Sequence, residues 1–231
     1  MQKSFIKLLF MAALIFNSIF ANAQDWANLK RYQADNESIL APTKGENRVV
    51  FMGNSITQGW KDKNPEFFSS NPYICRGIGG QTTPQMLIRF KQDVIALQPA
   101  VVVILAGTND IAGNTGPSTL EMIMDNLSSM AEIAKANKIK VILCSVLPAY
   151  DYPWRKGMEP NILIPKLNEM VKNYSEKNEI VYLDYFSAMN DGNNGLRPEL
   201  TTDGVHCTLE GYEIMQSLVK PAIEKVLKKK R

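Results

Sequence analysis

The chain is poor in the residues that build metal centres and disulfide frameworks, because its 231 residues include one histidine and three cysteines. A lone histidine and scattered cysteines offer no ligand cluster, so we expect neither a metal nor another cofactor. Three cysteines are too few for a disulfide framework. We expect Cys144, in an apolar run, to be a buried free thiol. Free thiols are also expected at Cys75 and Cys207, although a bridge between these two is the alternative.

A strong excess of charge is also missing. The 26 basic and 23 acidic residues leave a formal net charge of +3. Domains that bind nucleic acid carry clustered basic faces, so this balance argues against a nucleic-acid partner. The basic tail at 228–231 is expected to be the solvated end of the last helix.

No apolar run reaches the roughly 20 residues that a membrane-spanning helix needs. The longest run, 8–20, follows two lysines and precedes a small-residue cleavage pattern, Ala-Asn-Ala, at 21–23. This layout is typical of a secretory signal peptide. The sequence therefore predicts a signal at 1–23, export to the periplasm or the outside of the cell, and one domain at 24–231 without stable membrane insertion.

What the chain does contain is an alternation of short apolar runs and longer helical patterns. The predicted strands lie at 48–52, 73–76, 100–106, 140–147 and 180–183. The clearest predicted helices lie at 120–134, 162–177 and 209–228, and a leading helix is expected within 24–42. Two of the strand runs are apolar on both faces, as in a parallel sheet covered by helices on both sides. The alternation predicts a three-layer α/β/α domain with a five-stranded parallel sheet.

Ligands of open parallel sheets bind beyond the carboxyl ends of the strands, where the strand-to-helix loops lie. The first three of these loops read GNSITQG, GIGGQTT and GTNDIAG, and a late loop, LTTDGVH, precedes the final helix. By itself, Ser55 in the first loop fits three roles: a nucleophile, a phosphate-binding hydroxyl or a helix cap.

The chain's only histidine favours the first role. His206 follows Asp203 by three residues, so both side chains can face one point. A serine hydroxyl needs a base to take its proton, and the base needs a carboxylate to fix its tautomer. Asp203 could instead be a turn or helix-capping residue.

Acyl transfer also needs donors for the developing oxyanion. Gly80 in a Gly-Gly turn could present its backbone N–H, Asn109 could present its side-chain amide, and the Ser55 N–H would lie at a helix start. A tight turn and a loop-anchoring amide are the structural alternatives for Gly80 and Asn109.

These residues carry a resemblance to the SGNH, or GDSL-like, hydrolases. The matching blocks are Gly53-Asn54-Ser55-Ile56-Thr57, Gly77-Ile78-Gly79-Gly80-Gln81-Thr82, Gly107-Thr108-Asn109-Asp110 and Asp203-Gly204-Val205-His206, in the family's order. The resemblance implies a flavodoxin-like fold and a serine esterase mechanism. It implies the nucleophile Ser55, the base His206 and its orienting acid Asp203. It also implies an oxyanion hole of Ser55 N–H, Gly80 N–H and Asn109, with Gly79 as the neighbouring candidate.

The first block departs from the family's usual Gly-Asp-Ser by having Asn54, which can both donate and accept hydrogen bonds. Thr57 stands where G-x-S-x-G would have its second glycine, which argues against the nucleophile elbow of α/β-hydrolases.

The substrate is less constrained by the sequence. The loop PAYDYPWRKG carries Tyr150, Tyr152, Trp154 and Arg155, which could stack on a sugar and meet a carboxylate or could simply pack the loop. Trp60 is a second rim candidate. The resembling family includes carbohydrate acetylesterases and enzymes similar to platelet-activating-factor acetylhydrolase, and short catalytic loops favour a small acyl group. We therefore expect a small-molecule or polysaccharide ester as substrate, and carbohydrate O-deacetylation as the reaction.

Three alternatives stay open at this point. A lipase or lysophospholipase would share the mechanism and prefer long acyl chains. A flavodoxin-like cofactor-binding protein would place a phosphate at the GNSITQG loop. A catalytically inactive carbohydrate-binding module would use the same fold, although every matched catalytic position is filled.

Overall fold

Five parallel strands form the centre of the protein in a computed structural model that describes residues 24–228. The strands are β1 (Val49–Gly53), β2 (Tyr73–Gly77), β3 (Val101–Leu105), β4 (Lys140–Cys144) and β5 (Val181–Leu183). Their order in the sheet is β2-β1-β3-β4-β5, and every neighbouring pair is parallel. The strands lie within the five predicted runs to within one residue at most of their ends, although β4 stops three residues early.

Nine α-helices lie along the described chain. They are α1 (Gln33–Ser38), α2 (Ser55–Lys63), α3 (Pro65–Ser69), α4 (Thr83–Asp93), α5 (Thr108–Ile111), α6 (Leu120–Ala136), α7 (Pro160–Lys177), α8 (Tyr185–Met189) and α9 (Leu209–Lys228). The three clearest helical patterns are thus present as α6, α7 and α9. Tertiary packing extends α6 and α7 by two residues beyond the predicted ends.

Apolar side chains of each strand alternate between two cores, one on each face of the sheet. Val50 and Met52 of β1 pack with α4, α6 and α7, whereas Val49 and Phe51 pack with α2, α3, α8 and α9. Alternation follows from the two-residue period of a strand. Helices on both faces bury β1 and β3 completely and leave only parts of β2, β4 and β5 half-buried, which confirms the predicted α/β/α fold with a five-stranded parallel sheet.

The N-terminal segment differs from the single leading helix expected within 24–42. A 3₁₀ turn at Leu29–Tyr32 precedes the short helix α1, and Asn28 before the turn has a left-handed backbone with φ of 54°. The segment nevertheless packs on the domain, because the Tyr32 hydroxyl donates to Gly77 O at 2.5 Å. The helical segment thus begins after Asn28 and ends before Ile39, whose backbone is extended, so it is shorter than the expected helix.

The helix α2 lies unusually close to the sheet where β1 and β2 end. A Cβ on Gly53 would lie 2.0 Å from Thr57 Oγ1, and one on Gly77 would lie 2.2 Å from Gln58 N. Gly53 pairs in register with Gly77 of β2 and with Leu105 of β3. The loops after these three strands therefore start side by side.

The expectations for the signal peptide, for membrane insertion and for the thiols can be compared with the described residues. The proposed signal at 1–23 lies outside the described residues. Within 24–228, no helix has both the length and the apolar character needed to cross a membrane. Cys75, Cys144 and Cys207 are all buried free thiols, as expected from the sequence, and the alternative bridge between Cys75 and Cys207 is absent.

Candidate active site

Ser55 is the first residue of α2, directly beyond the carboxyl end of β1. The cap of this helix is Asn54, whose Oδ1 accepts from Ile56 N–H at 3.0 Å. Asn54 thus caps the helix, a role that the family's usual aspartate could also fill at this position, and Ser55 is not the cap. The first N–H groups of a helix lack intrahelical acceptors, so the Ser55 N–H lies at the positive end of the helix dipole.

The loop before α9 brings His206 to Ser55 across 151 positions of sequence. His206 Nε2 lies 3.0 Å from Ser55 Oγ, and His206 Nδ1 lies 2.7 Å from Asp203 Oδ2. The three side chains form a continuous hydrogen-bonded chain in the order serine, histidine, aspartate. The imidazole and carboxylate side chains are 36% and 35% exposed, so solvent and substrate can approach them.

Asp203 is also a turn residue, as the structural alternative proposed. Its Oδ1 accepts from Val205 N–H at 2.9 Å and from His206 N–H at 2.8 Å. Burial acts to raise the pKa of Asp203, but the hydrogen bonds from the His206 backbone, the His206 ring and Val205 outweigh it and lower the pKa. The carboxylate is therefore held ionised and fixed in orientation.

The loop after β2 passes next to the serine and carries the next two candidate donors, Gly79 and Gly80. A Cβ on Gly79 would lie 3.9 Å from Ser55 Cβ. The Gly79 N–H already donates to Gln58 Oε1 at 2.9 Å, which leaves Gly79 the weaker of the two candidate donors. Gly80 has a φ of 75° and, among residues 24–228, its N–H makes no hydrogen bond.

Asn109 lies in α5, directly after β3, with only 2% of its surface exposed. Its Nδ2 donates to Gln81 O at 2.9 Å, which ties it to the same loop as Gly80. The next residue, Asp110, accepts from Thr83 N–H at 2.9 Å and from Thr83 Oγ1 at 2.6 Å, at the first turn of α4. Burial raises the pKa of Asp110 to about 6, although the Thr83 hydrogen bonds act against this shift.

Comparison with known proteins shows to which family this chain belongs. Residues 51–214 match the sequence model of the GDSL-like lipase/acylhydrolase family. The chain belongs to this family. It is therefore a carboxylic ester hydrolase, and the resemblance noted in the sequence is confirmed.

Three relatives illustrate the similarity. A GDSL-like lipase from Bacteroides thetaiotaomicron is 52% identical, with a TM-score of 0.84 over 86% of this chain and 98% of that one. An acetylxylan esterase from Xylanibacter ruminicola is 26% identical over 81% of this chain. Esterase TesA from Pseudomonas aeruginosa is 24% identical over 79% of this chain and 87% of its own length. The chain spans only 45% of the acetylxylan esterase.

The aromatic loop at 150–157 borders the histidine of this acylhydrolase. The Trp154 ring is 44% exposed and lies 5.9 Å from the His206 ring, centroid to centroid. Trp154 stacks on Tyr152 at 5.0 Å, and the Tyr152 hydroxyl hydrogen-bonds Thr108 Oγ1 at 2.9 Å. Trp154 is thus held beside the site by a neighbour that is anchored next to Asn109.

Two of the predicted substrate contacts are wrong as surface contacts. Tyr152 is fully buried and supports Trp154 rather than facing solvent. Trp60 is 2% exposed and packs in the core below α2, where it stacks on Phe67 and Tyr212. The apolar face of α2 points Trp60 inward, one turn after Ile56.

The two remaining loop residues, Tyr150 and Arg155, are exposed. Arg155 is exposed and donates from Nη1 to Gly113 O at 2.7 Å, and Tyr150 is 63% exposed. Arg155 also borders a cavity of about 270 Å³, which includes Asp110 and Leu120 in its wall. Within the described chain, no group of three histidine, cysteine or acidic side chains could hold a metal ion.

Two residues at the site were missed in the sequence. Thr108 was quoted only as part of a motif, yet it anchors Tyr152. Gln81 was treated as a neighbour of the glycine turn, yet its side chain is 4% exposed and fully engaged. For Gln81, the sequence offers only its position next to a glycine turn, and this position also fits a glutamine in an ordinary loop.

Proposed function

We propose that the protein is an exported serine esterase that removes short acyl groups, with O-acetyl groups on carbohydrate as its substrates. The observation that carries this proposal is the chain of contacts from Ser55 Oγ through His206 to Asp203, at 3.0 and 2.7 Å. Both distances are those of hydrogen bonds between a nucleophile, its base and the group that orients the base.

The reaction would proceed through an acyl-enzyme. His206 Nε2 takes the Ser55 Oγ proton while Oγ bonds to the carbonyl carbon of the ester. When the tetrahedral intermediate collapses, the bond to the alcohol oxygen breaks and His206 returns the proton to that oxygen. Water then attacks the acyl group with His206 again as base, which releases the acid and restores Ser55. Asp203 stabilises the imidazolium in both steps.

The oxyanion would be held by the Ser55 N–H, the Gly80 N–H and the Asn109 amide. Support comes from the unpaired Gly80 N–H and from the helix start at Ser55. The Asn109 amide has a second N–H besides the one given to Gln81. Such donors act strongly because they are already oriented before charge develops.

The preference for a carbohydrate ester rests on the rim of the site. The exposed face of Trp154 beside His206 is a surface on which a sugar ring could stack. The acetylxylan esterase relative acts on such a substrate by its name. The exposed triad favours a short acyl group on a bulky alcohol, such as a polysaccharide, over a long acyl chain that would need a deep tunnel.

Hydrolysis of p-nitrophenyl esters from acetate to a long acyl chain tests the esterase and its chain length. We expect the wild type and the control Ser217→Ala, an exposed serine of α9, to prefer acetate, and Ser55→Ala to be inactive. Equal rates in wild type and Ser55→Ala would refute the nucleophile. A preference for long chains would favour the lipase or lysophospholipase alternative, and no activity together with flavin absorbance would favour a cofactor-binding protein.

Acetylated xylan and acetylated oligosaccharides test the acceptor. We expect Trp154→Ala to raise KM for acetylated oligosaccharides several-fold and to leave p-nitrophenyl acetate turnover within about twofold, since loss of a binding contact outside the chemistry changes binding. Equal effects of Trp154→Ala on both substrates would contradict a sugar-stacking role.

Export is tested by the N-terminus of the protein in its native cell. If residues 1–23 are a signal, the exported protein begins at Gln24 and the single domain at 24–231 carries all activity. A cytoplasmic protein that retains residues 1–23 would refute export.

A further inference from the structure

The loop that carries Gly80 is anchored by hydrogen bonds from the side chain of the next residue, Gln81. Gln81 Oε1 accepts from Arg89 Nε at 2.6 Å, and Gln81 Nε2 donates to Ala27 O at 2.7 Å. Its backbone oxygen accepts from Asn109 Nδ2 at 2.9 Å. One buried residue therefore connects the N-terminal segment, the interior of α4 and the Asn109 amide.

Arg89 connects the same loop to the strand that ends before Ser55. Its side chain is completely buried, and Nη2 donates to Gly53 O at 3.1 Å and to Arg76 O at 2.8 Å. Nη1 donates to Asp93 Oδ2 at 2.9 Å, which balances the charge. The planar fork of the guanidinium thus joins the carboxyl ends of β1 and β2 and the Gln81 amide in one fixed geometry.

Gly80 makes no hydrogen bond through its N–H among residues 24–228, and only its oxygen is held, by Asn114 Nδ2 at 3.1 Å. Gly80 lacks a Cβ, its φ is positive and an added Cβ there would meet nothing within 4 Å. The orientation of its N–H must therefore come from adjacent residues. A donor that stabilises an oxyanion is effective only when it is oriented beforehand, and small misplacements of a reacting geometry cost large factors in rate.

We propose that Gln81 and Arg89 are a positioning pair that fixes the Gly80 N–H and the Asn109 amide relative to Ser55. The proposal rests on the proposed esterase function. Neither residue touches the ester. Their effect is on kcat, because donors that are misaligned in the transition state lose stabilisation there while ground-state binding is retained.

Gln81→Met tests the pair, because Met has a similar volume and makes no comparable hydrogen bond. With p-nitrophenyl acetate we expect kcat to fall about 10- to 100-fold and KM to stay within about twofold, less than the loss of a whole donor. Gln81→Glu keeps an acceptor for Arg89 but sets a carboxylate oxygen against Ala27 O, so it should restore kcat only in part. If Gln81→Met does not fold, Gln81→Asn, whose amide is too short to reach both partners, takes its place with the same expectation.

Gln92→Met is the matched control. Gln92 lies on the same helix and its Nε2 donates to Leu29 O at 2.7 Å, so it also ties α4 to the N-terminal segment. Its Nε2 reaches Asp93 Oδ1 at a longer 3.3 Å, but it contacts neither Arg89 nor the Gly80 loop. We expect its kcat to equal that of wild type even if its melting temperature falls as much as that of Gln81→Met.

A double variant separates positioning from general destabilisation. If Gln81 acts through the oxyanion donors, adding Gln81→Met to Asn109→Ala should cost much less than its effect alone, because residues that act as a unit are not additive. Wild-type kcat in folded Gln81→Met, or an equal loss in Gln92→Met, would overturn the pair and leave the esterase intact. An active Ser55→Ala would overturn the esterase itself.

Discussion

Replacing Asp203 by asparagine should disable the base almost completely while leaving the loop in place. Asp203 Oδ1 accepts from the Val205 and His206 N–H groups, at 2.9 and 2.8 Å. An asparagine keeps these bonds only if its oxygen occupies that position. Its NH₂ group then takes the place of Oδ2, which lies 2.7 Å from His206 Nδ1. Turning the amide over would set its NH₂ against two N–H donors.

The consequence is the wrong tautomer of the histidine. An NH₂ group donates, so Nδ1 must accept and the ring proton must sit on Nε2, which faces Ser55 Oγ. A protonated Nε2 cannot take the serine proton. In Ser-His-Asp enzymes this replacement lowers kcat by about 10⁴-fold, which corresponds to about 5 kcal/mol of the barrier. Because both side chains are about one-third exposed, we expect stability to fall by about 1 kcal/mol or less.

The assay is steady-state hydrolysis of p-nitrophenyl acetate with thermal unfolding of each variant. Asp203→Ala, which removes the loop hydrogen bonds as well, should be no more damaging to kcat than the isosteric asparagine. The control is Asp184→Asn, an exposed capping residue after β5 whose cap to Ser187 N–H survives the change. A kcat for Asp203→Asn within tenfold of wild type would refute the view that Asp203 sets the tautomer of His206.

Three further changes address neighbouring residues. Asn109→Ala should lower kcat by about 10²-fold or more, since it removes one of the proposed oxyanion donors, and KM should change little in the same assay. Burial holds the pKa of Asp110 at about 6 in the folded protein, above its unfolded value, so the contribution of this carboxyl to wild-type stability should fall as pH rises from about 4 to about 6. In urea unfolding, Asp110→Asn should lack this fall and gain at most about 3 kcal/mol relative to wild type at pH 7; an unchanged pH dependence would contradict the shift. Tyr212→Phe removes the hydrogen bond to Ile56 O and should cost about 1 kcal/mol in the same experiment, with kcat within about twofold of wild type.

Much of this arrangement follows from local patterns in the sequence. Apolar runs with two-sided burial predict the parallel sheet, and the topology then requires its strand-end loops to share one edge. For this reason the loops that carry Ser55, Gly80 and Asn109 could be predicted to meet. His206 lies well beyond the end of β5, so its approach to Ser55 across 151 positions was implied by the family resemblance and not by the strand order.

The two wrong predictions, Trp60 and Tyr152, have different causes. Trp60 follows Ile56 by four residues, so the helical period could have placed both on the buried face of α2. Tyr152 gave no such signal, because its burial depends on Thr108 in another loop. The hydrogen bond between Gln81 and Arg89 gave no local signal either. It depends on the ends of β1 and β2, whose backbone oxygens also bind Arg89.

The chemical labelling of two buried thiols can report how often the structure around the site opens locally. Cys75 hydrogen-bonds Thr57 O beneath α2, and Cys207 directly follows His206. Burial raises the pKa of Cys75 and raises that of Cys207 to about 12, so neither is a thiolate while the structure is closed. Thiol reagents attack the thiolate, and labelling therefore waits for an opening that exposes the sulfur. Labelling rates at these two positions would measure separately how often the serine side and the histidine side of the site come apart.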